Sequence, residues 1–324
     1  MLEATEAAAP SRARVLAAFA AVYMIWGSTY LAIRFAIETL PPFLMAGVRF
    51  LVAGVVMYVW VRLRGAPRPT RAEWMAATVI GALLLLGGNG AVVWAEQRVP
   101  SGVASLLVAI VPVWMVLLEW LRPGGTRPTL GVTAGLVVGF AGLALLVGPG
   151  EFGGGAVDTV GAGVLVLGSL TWAVGSIYSR GAKLPSAPLL GTAMEMLAGG
   201  ALLILAGLLT GEGSRLTLDA VTPRSVLALL YLIGFGSLIG YTAYVWLLKV
   251  STPARASTYA YVNPVVAVFL GWVLADEPLT PRVLAAAAVI IGAVAVITTA
   301  GSGGREPARR RSRLAPNASG EQAA

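Results

Sequence analysis

The sequence predicts an all-α integral membrane protein of ten transmembrane helices, built as two inverted five-helix repeats. Three observations lead there. The 324-residue chain is 57% hydrophobic and only 12% charged, about half the charge of a soluble domain, and its mean hydropathy is +0.82. Apolar stretches of membrane-crossing length, about 20 residues, recur ten times. The chain also repeats itself. Trp26 and Trp172, Arg34 and Arg180, Pro42 and Pro188, and Arg49 and Glu195 all stand 146 residues apart. Later in each half the offset becomes 152, pairing Trp94 with Trp246 and Pro112 with Pro264. Five spans is an odd number, so a second copy enters the membrane from the opposite side. Inverted copies place a site near the bilayer midplane that opens to either face.

The ten segments fall at roughly 15–37, 42–62, 73–94, 101–121 and 129–148, then 158–179, 187–210, 224–248, 254–274 and 281–300. The first repeat is therefore 15–148 and the second 158–300. Turn and break residues separate the segments: Pro41-Pro42, Pro67 to Thr70, Pro100 to Gly102, Gly148 to Gly155, Gly211 to Gly213, and Pro278 to Pro281. The 1–14 segment is acidic before it is basic and lacks a cleavage signal, so the first apolar run reads as a retained helix. The tail 301–324 is Gly, Ser, Pro and Arg, cannot bury a core, and is expected to be disordered. Its cluster at Arg309 to Arg313 suits anionic lipid.

Orientation follows the basic residues. With the N-terminus inside, all 23 lysines and arginines except Arg34, Arg49, Arg98, Arg215, Arg224 and Arg282 fall on the cytoplasmic side. Both termini are thus expected in the cytoplasm, and the abundance of Ala and Gly suggests a bacterial source. The net charge of +8 would suggest nucleic acid in a soluble protein. Here topology accounts for it, and no nucleic-acid partner is expected.

The chain has no Cys and no His. That removes thiolate chemistry and the commonest metal ligand and general base. No catalytic site, cofactor or metal is expected, and the only ligands foreseen are a small solute, membrane lipid and a coupled proton. An intramembrane enzyme acting on a lipid or isoprenoid phosphate is the rival of another class. It would want paired carboxylates, a metal cluster or an interfacial His, whereas the acidic residues here are scattered.

Charges inside membrane helices are costly and usually face a cavity or a partner. Arg49 lies well inside segment two and Glu195 at the matching place in segment seven. Each stands about 10 Å from its own entry face, which leaves them about 10 Å apart along the normal in a core about 30 Å thick. Separate roles follow: Arg49 for an anionic group on the solute, Glu195 for a proton, which Arg cannot carry because it stays charged. Backbone hydrogen bonding that locks helix packing is the alternative for both. Glu119 with Arg122, and Glu96 with Arg98, sit at segment ends and read as interfacial pairs.

Trp26, Tyr30 and Arg34 share one face of segment one, as Trp172, Ser176 and Arg180 do in segment six. The tryptophans are too deep for an interfacial belt and read as cavity lining. Segment nine, Ser257 to Pro264, carries Tyr259 and Asn263 on one face beside a proline break. Pro112 makes the matching break in segment four, and paired breaks point to a transport site. Asn89 and its repeat match Tyr241 complete the candidate lining.

Several of these stretches resemble one family. Trp26-Gly27-Ser28-Thr29-Tyr30, Ala46-Gly47-Val48-Arg49-Phe50, Gly88-Asn89-Gly90, Val99-Pro100-Ser101-Gly102 and Ser257 to Val266 are similar to the EamA family of the drug/metabolite transporter superfamily, in detail to its YedA-like branch. The resemblance covers roughly 15–300. It implies ten helices, cytoplasmic termini and a central cavity shared by both repeats. It also implies an inner-membrane secondary transporter of amino acids or other small metabolites, most often an exporter, with importers and exchangers among its members. The oligomeric state implied is a monomer or homodimer.

Overall fold

The computed structural model describes residues 11–99, 101–147, 158–275 and 281–300. The N-terminal stretch 1–10, Pro100, the Gly-rich connection 148–157, the turn 276–280 and the basic tail 301–324 lie outside the described residues, and so do the expectations attached to them. Among the described residues the chain is helical, without strands. The main helices are α1 (Arg12–Ile37), α2 (Pro42–Leu63), α3 (Arg71–Ala95), α4 (Ser101–Val108), α5 (Val111–Leu121), α6 (Leu130–Val147), α7 (Thr159–Ser179), α8 (Pro188–Leu209), α9 (Pro223–Val250), α10 (Tyr259–Ala275) and α11 (Pro281–Ala300). By length and composition, α1, α2, α3, α7, α8 and α9 are able to cross a membrane.

The helix ends follow from local chemistry. Proline opens α2, α8 and α9, where its missing N–H costs nothing. Thr70 and Glu73 form a reciprocal capping box at α3, and the Asp158 carboxylate accepts from Val160 and Gly161 N–H at α7. The start of α2 is capped from the other half of the chain. Buried Glu212 accepts from Phe43 N–H at 3.2 Å and Leu44 N–H at 2.9 Å, placing a carboxylate on the positive end of the helix. Gly65, Gly124 and Gly211 take left-handed turns with φ of 86°, 72° and 76°, which a Cβ would strain.

Two expected segments are interrupted. The fourth is divided into α4 and α5 by a turn at Ala109-Ile110, just before Pro112. In the ninth, the break expected at Pro264 lies instead at Ser257-Thr258, after one helical turn at Pro253–Ala256, and α10 runs on through Pro264. The two hydroxyls explain the displacement. Ser257 Oγ donates to the Ala254 carbonyl at 3.1 Å and Thr258 Oγ1 to the Arg255 carbonyl at 2.7 Å. They satisfy the orphan carbonyls of the short turn, whereas Pro264 sits only about one turn inside α10 and forfeits a single hydrogen bond.

Glycine contacts set the direction of each helix pair. On α2 and α8, Gly47 lies against Ile204, Gly200 against Leu51 and Gly54 against Leu197, an antiparallel register. On α6 and α11, Gly131 meets Ala300 and Gly142 meets Ile290, again antiparallel. Helices α3 and α7 run antiparallel, with Gly87 at Thr171 and Gly175 at Leu84. So do α1 and α9, with Gly240 at Trp26 and Gly236 at Thr29. Helices α1 and α10 run parallel, with Tyr23 bonded to Thr258 at 2.5 Å and Gly27 against Val266. Val99 packs against Gly161, and Ala104 and Leu165 follow in one apolar cluster with it, a parallel order along α7. Such close backbone approach is how helices associate where burial from water gives no drive.

The surface is apolar and the interior holds polar groups. Val52, Val55, Val56 and Val59 of α2 and Leu205, Leu208 and Leu209 of α8 are exposed, whereas Arg49, Glu195, Ser176, Ser237 and Asn263 are buried. Helices apolar all round belong in lipid.

Candidate functional site

Between α1, α2, α3, α4, α5, α7, α9 and α10 lies a cavity that is partly open to the outside. Trp26, Tyr30, Arg49 and Asn89 line it from the first half of the chain, and Trp172, Tyr241, Tyr259 and Asn263 from the second. The remaining two sequence candidates, Ser176 and Glu195, are fully buried one layer behind the wall. Ser176 Oγ is 2.7 Å from the Tyr244 hydroxyl, and Glu195 Oε2 accepts from Tyr241 OH at 2.9 Å.

One end of the cavity is closed by four rings. Trp26 contacts Trp172, Tyr244 and Tyr259 at centroid distances of 5.5, 5.0 and 4.9 Å, and Tyr244 touches Trp172 and Tyr259 at 5.4 Å each. Such tilted and edge-on contacts stabilise by about 0.5–1.5 kcal/mol apiece. Their polar edges are satisfied: Trp26 Nε1 donates to the Gly236 carbonyl at 3.2 Å and Trp172 Nε1 to Tyr244 OH at 2.9 Å. The lining of α1 runs from Trp26 through Tyr30 to Ile33, away from this cluster. The cavity therefore lies toward the end of the bundle where α1 and α3 finish and α2, α7 and α9 begin.

Arg49 is the charge in the wall. Its Nε donates to Ser237 Oγ at 2.8 Å, its guanidinium stands 4.6 Å from the Phe50 ring centre, and Nη1 is buried without a hydrogen-bond partner. Gly236 makes room for it, since a Cβ there would come within 2.8 Å of Nη2. The carboxamide oxygens of Asn89 and Asn263 are likewise buried and unpartnered. The site thus offers one unsatisfied cationic donor and two unsatisfied acceptors between aromatic walls. Unpaired buried groups of this kind cost about 1–3 kcal/mol each, which a bound polar solute would recover.

Arg49 and Glu195 do not touch. In the α2–α8 register Glu195 is level with Val56, roughly 10 Å along the axis from Arg49. Glu195 Oε1 has no hydrogen-bond partner. Both α3 and α9 widen into π-helix, at Gly81–Asn89 and Leu232–Tyr241. The two stretches coincide when the 152-residue offset is applied, and each ends on a cavity residue, Asn89 or Tyr241. Such widened turns frequently mark functional sites.

Several residues of the site escape sequence reasoning, Tyr244, Ser237 and Thr29 among them. Tyr244 matches Val92 in the first repeat, so comparing the halves hides it. Ser237 and Thr29 carry no distinctive spacing. Among the end charges, Glu119 and Arg122 pair at 2.8 Å as expected, and the carboxylate raises the pKa of that guanidinium. Glu96 and Arg98 do not pair. Arg98 lies 3.7 Å from Asp158 and over Trp94, whereas both Glu96 carboxylate oxygens are buried without a partner.

The model of the EamA-like transporter family matches the chain twice, over residues 13–148 and 159–299. The uncharacterized inner membrane transporter YedA of Escherichia coli is 42% identical over 280 residues, covering 86% of this chain and 88% of that protein. The uncharacterized transporter YvbV of Bacillus subtilis is 25% identical over 292 residues, covering 89% and 92%. A solved crystal structure superposes with a TM-score of 0.72 at 24% identity, covering 90% of this chain and 100% of that one, which shows a shared fold.

Proposed function

Because the chain belongs to the EamA-like transporter family, on the branch of YedA, and is a multi-pass inner-membrane transporter, we propose that it exports a small amphipathic metabolite, an amino acid or close relative, by alternating access. The observation that carries this reading is the unsatisfied Nη1 of Arg49, in the wall of the same aromatic-lined cavity as the free oxygens of Asn89 and Asn263. A carboxylate would take the guanidinium, an ammonium would take the amide oxygens, and an apolar side chain would lie against Trp26, Trp172 and Tyr259. Ligand binding stabilises the folded state by RT ln(1 + [L]/Kd), so thermal unfolding in detergent provides the test. Amino acids are expected to raise Tm, and the same compounds amidated at the carboxyl are not. Equal shifts for both would remove Arg49 as the carboxylate site.

The inverted ten-span arrangement is part of the same proposal. Exchanging the halves maps each principal helix contact onto another of the same sense: α2 with α8 and α6 with α11 onto themselves, α1 with α9 onto α7 with α3, and α1 with α10 onto α7 with the α4–α5 segment. A two-fold axis in the membrane plane produces this pattern. Reporter fusions after Arg64 and Lys183 are expected to read as cytoplasmic, and fusions near Gly213 as external. The reverse at all three would invert the orientation.

Glu195 is assigned the coupled proton. It lies behind Tyr241, whose hydroxyl joins it to the cavity wall, and neutralising a carboxylate by protonation avoids the cost of a buried charge. Glu195→Gln is expected to abolish stimulation by a pH gradient while solute exchange persists, measured in proteoliposomes. Undiminished stimulation would transfer the proton to another group.

A further inference from the structure

Arg34 and Arg180 occupy the same place in the two repeats, near the C-terminal ends of α1 and α7, yet their surroundings differ. Arg180 is engaged: its Nη1 donates to the carbonyls of Leu248 and, at 2.8 Å, of Ser251. These are among the orphan carbonyls at the end of α9, where a cation is favoured by the helix dipole. The contact ties α7 to α9 beyond the four-ring cluster, at the closed end of the cavity. Arg34 is exposed and, among the described residues, makes no hydrogen bond or ion pair.

The 152-residue offset maps Leu248 and Ser251 onto Glu96 and Val99, at the end of α3. The first repeat thus possesses the same pieces: an arginine on one helix and the terminal carbonyls of another. It adds a carboxylate. Glu96 is half-buried, its two carboxylate oxygens fully so and unpartnered, and the Arg34 charge acts on it from beyond ion-pair distance. Tyr30, one turn before Arg34, lies within electrostatic reach of the same carboxylate and lines the cavity. Glu96 has no evident structural purpose as placed, since a buried carboxylate without donors is costly.

We infer that Arg34 and the α3 terminus, through the Glu96 carboxylate and the Glu96 and Val99 carbonyls, form a second latch that closes the open end of the cavity when the Arg180 latch releases. The inference rests on the alternating-access reading. The two latches exclude one another because each closes one end of the same cavity. In the present structure the Arg180 latch is closed and the Arg34 latch is open, in agreement with a cavity displaced toward the Arg34 end. The first latch holds only neutral carbonyls, whereas the second gains an ion pair.

The absence of cysteine permits a direct test. A single cysteine at Val92, in the cavity wall, reacts with an impermeant maleimide supplied at the Arg34 face only while that end is open. Arg180→Gln is expected to slow labelling at least about tenfold, the worth of one charge-assisted hydrogen bond. Adding Arg34→Gln or Glu96→Gln to Arg180→Gln is expected to restore the fast rate. The charge exchange Arg34→Glu with Glu96→Arg, in the same background, keeps labelling slow and controls for misfolding. If labelling stays slow in the Arg180→Gln, Arg34→Gln double variant, or if Arg180→Gln labels as fast as its parent, the latch is overturned. Counterflow by the same preparations reports the transport reading separately. A protein that switches but carries nothing overturns that reading and upholds the latch; one that transports but ignores Arg34 and Glu96 overturns the latch alone.

Discussion

Replacing Arg49 with lysine is expected to lower solute counterflow by at least about tenfold while the protein stays folded. Lysine keeps the charge but not the planar fork. The guanidinium spends Nε on Ser237 and stands against Phe50, which leaves Nη1 free for the solute. An ammonium is a single point and cannot hold Ser237 and a carboxylate together in that geometry. Losing one charge-assisted hydrogen bond costs about 1.5–3 kcal/mol, and each 1.4 kcal/mol is a factor of about ten. Elution as a single symmetric species separates this loss from misfolding. Wild-type counterflow in Arg49→Lys would reduce Arg49 to a packing element.

A large effect on stability is expected at Gly81, inside the bundle. Its Cβ position lies 2.7 Å from both the Glu195 carbonyl oxygen and the Gly199 nitrogen. Those atoms are backbone, so no side chain can move aside. Gly81→Ala should force α3 off α8, at a cost of about 1–3 kcal/mol, seen as a lower Tm in detergent. It should also disturb the proton response, because the displaced backbone belongs to Glu195 itself. As a control, Gly163, which meets nothing within 4 Å, should tolerate alanine. An unchanged Tm for Gly81→Ala would show that the α3–α8 contact is looser than described.

These two residues illustrate what the sequence makes legible. Arg49 stands out because charge inside an apolar run is rare, and its match Glu195 shows the repeat. Their separation follows from helix rise alone, and the α2–α8 register agrees with it. Trp26 and Trp172 are legible as lining because they lie too deep for the interface. The rest depends on contacts made by the folded chain. A π-helical turn leaves no periodic mark, so the matched stretches ending at Asn89 and Tyr241 were not foreseeable. Tyr244 closes the ring cluster from a position where the other half has Val92. Glu96 reads as an interfacial acid from its place at a segment end, yet both its carboxylate oxygens are buried in the folded chain. At Ser257-Thr258, side-chain hydroxyls prevail over the proline that the sequence emphasises.

Counterflow in proteoliposomes tests the central claim most directly. Vesicles holding the purified protein and loaded with an unlabelled amino acid should accumulate the labelled form transiently, because alternating access exchanges bound solute without an energy source. Arg49→Lys vesicles should remain near the protein-free level. Accumulation by wild type that fails in Arg49→Lys is the predicted result. A wild-type protein that exchanges no amino acid, or a variant that exchanges as well as wild type, would contradict the assignment of this cavity to a carboxylate-bearing solute.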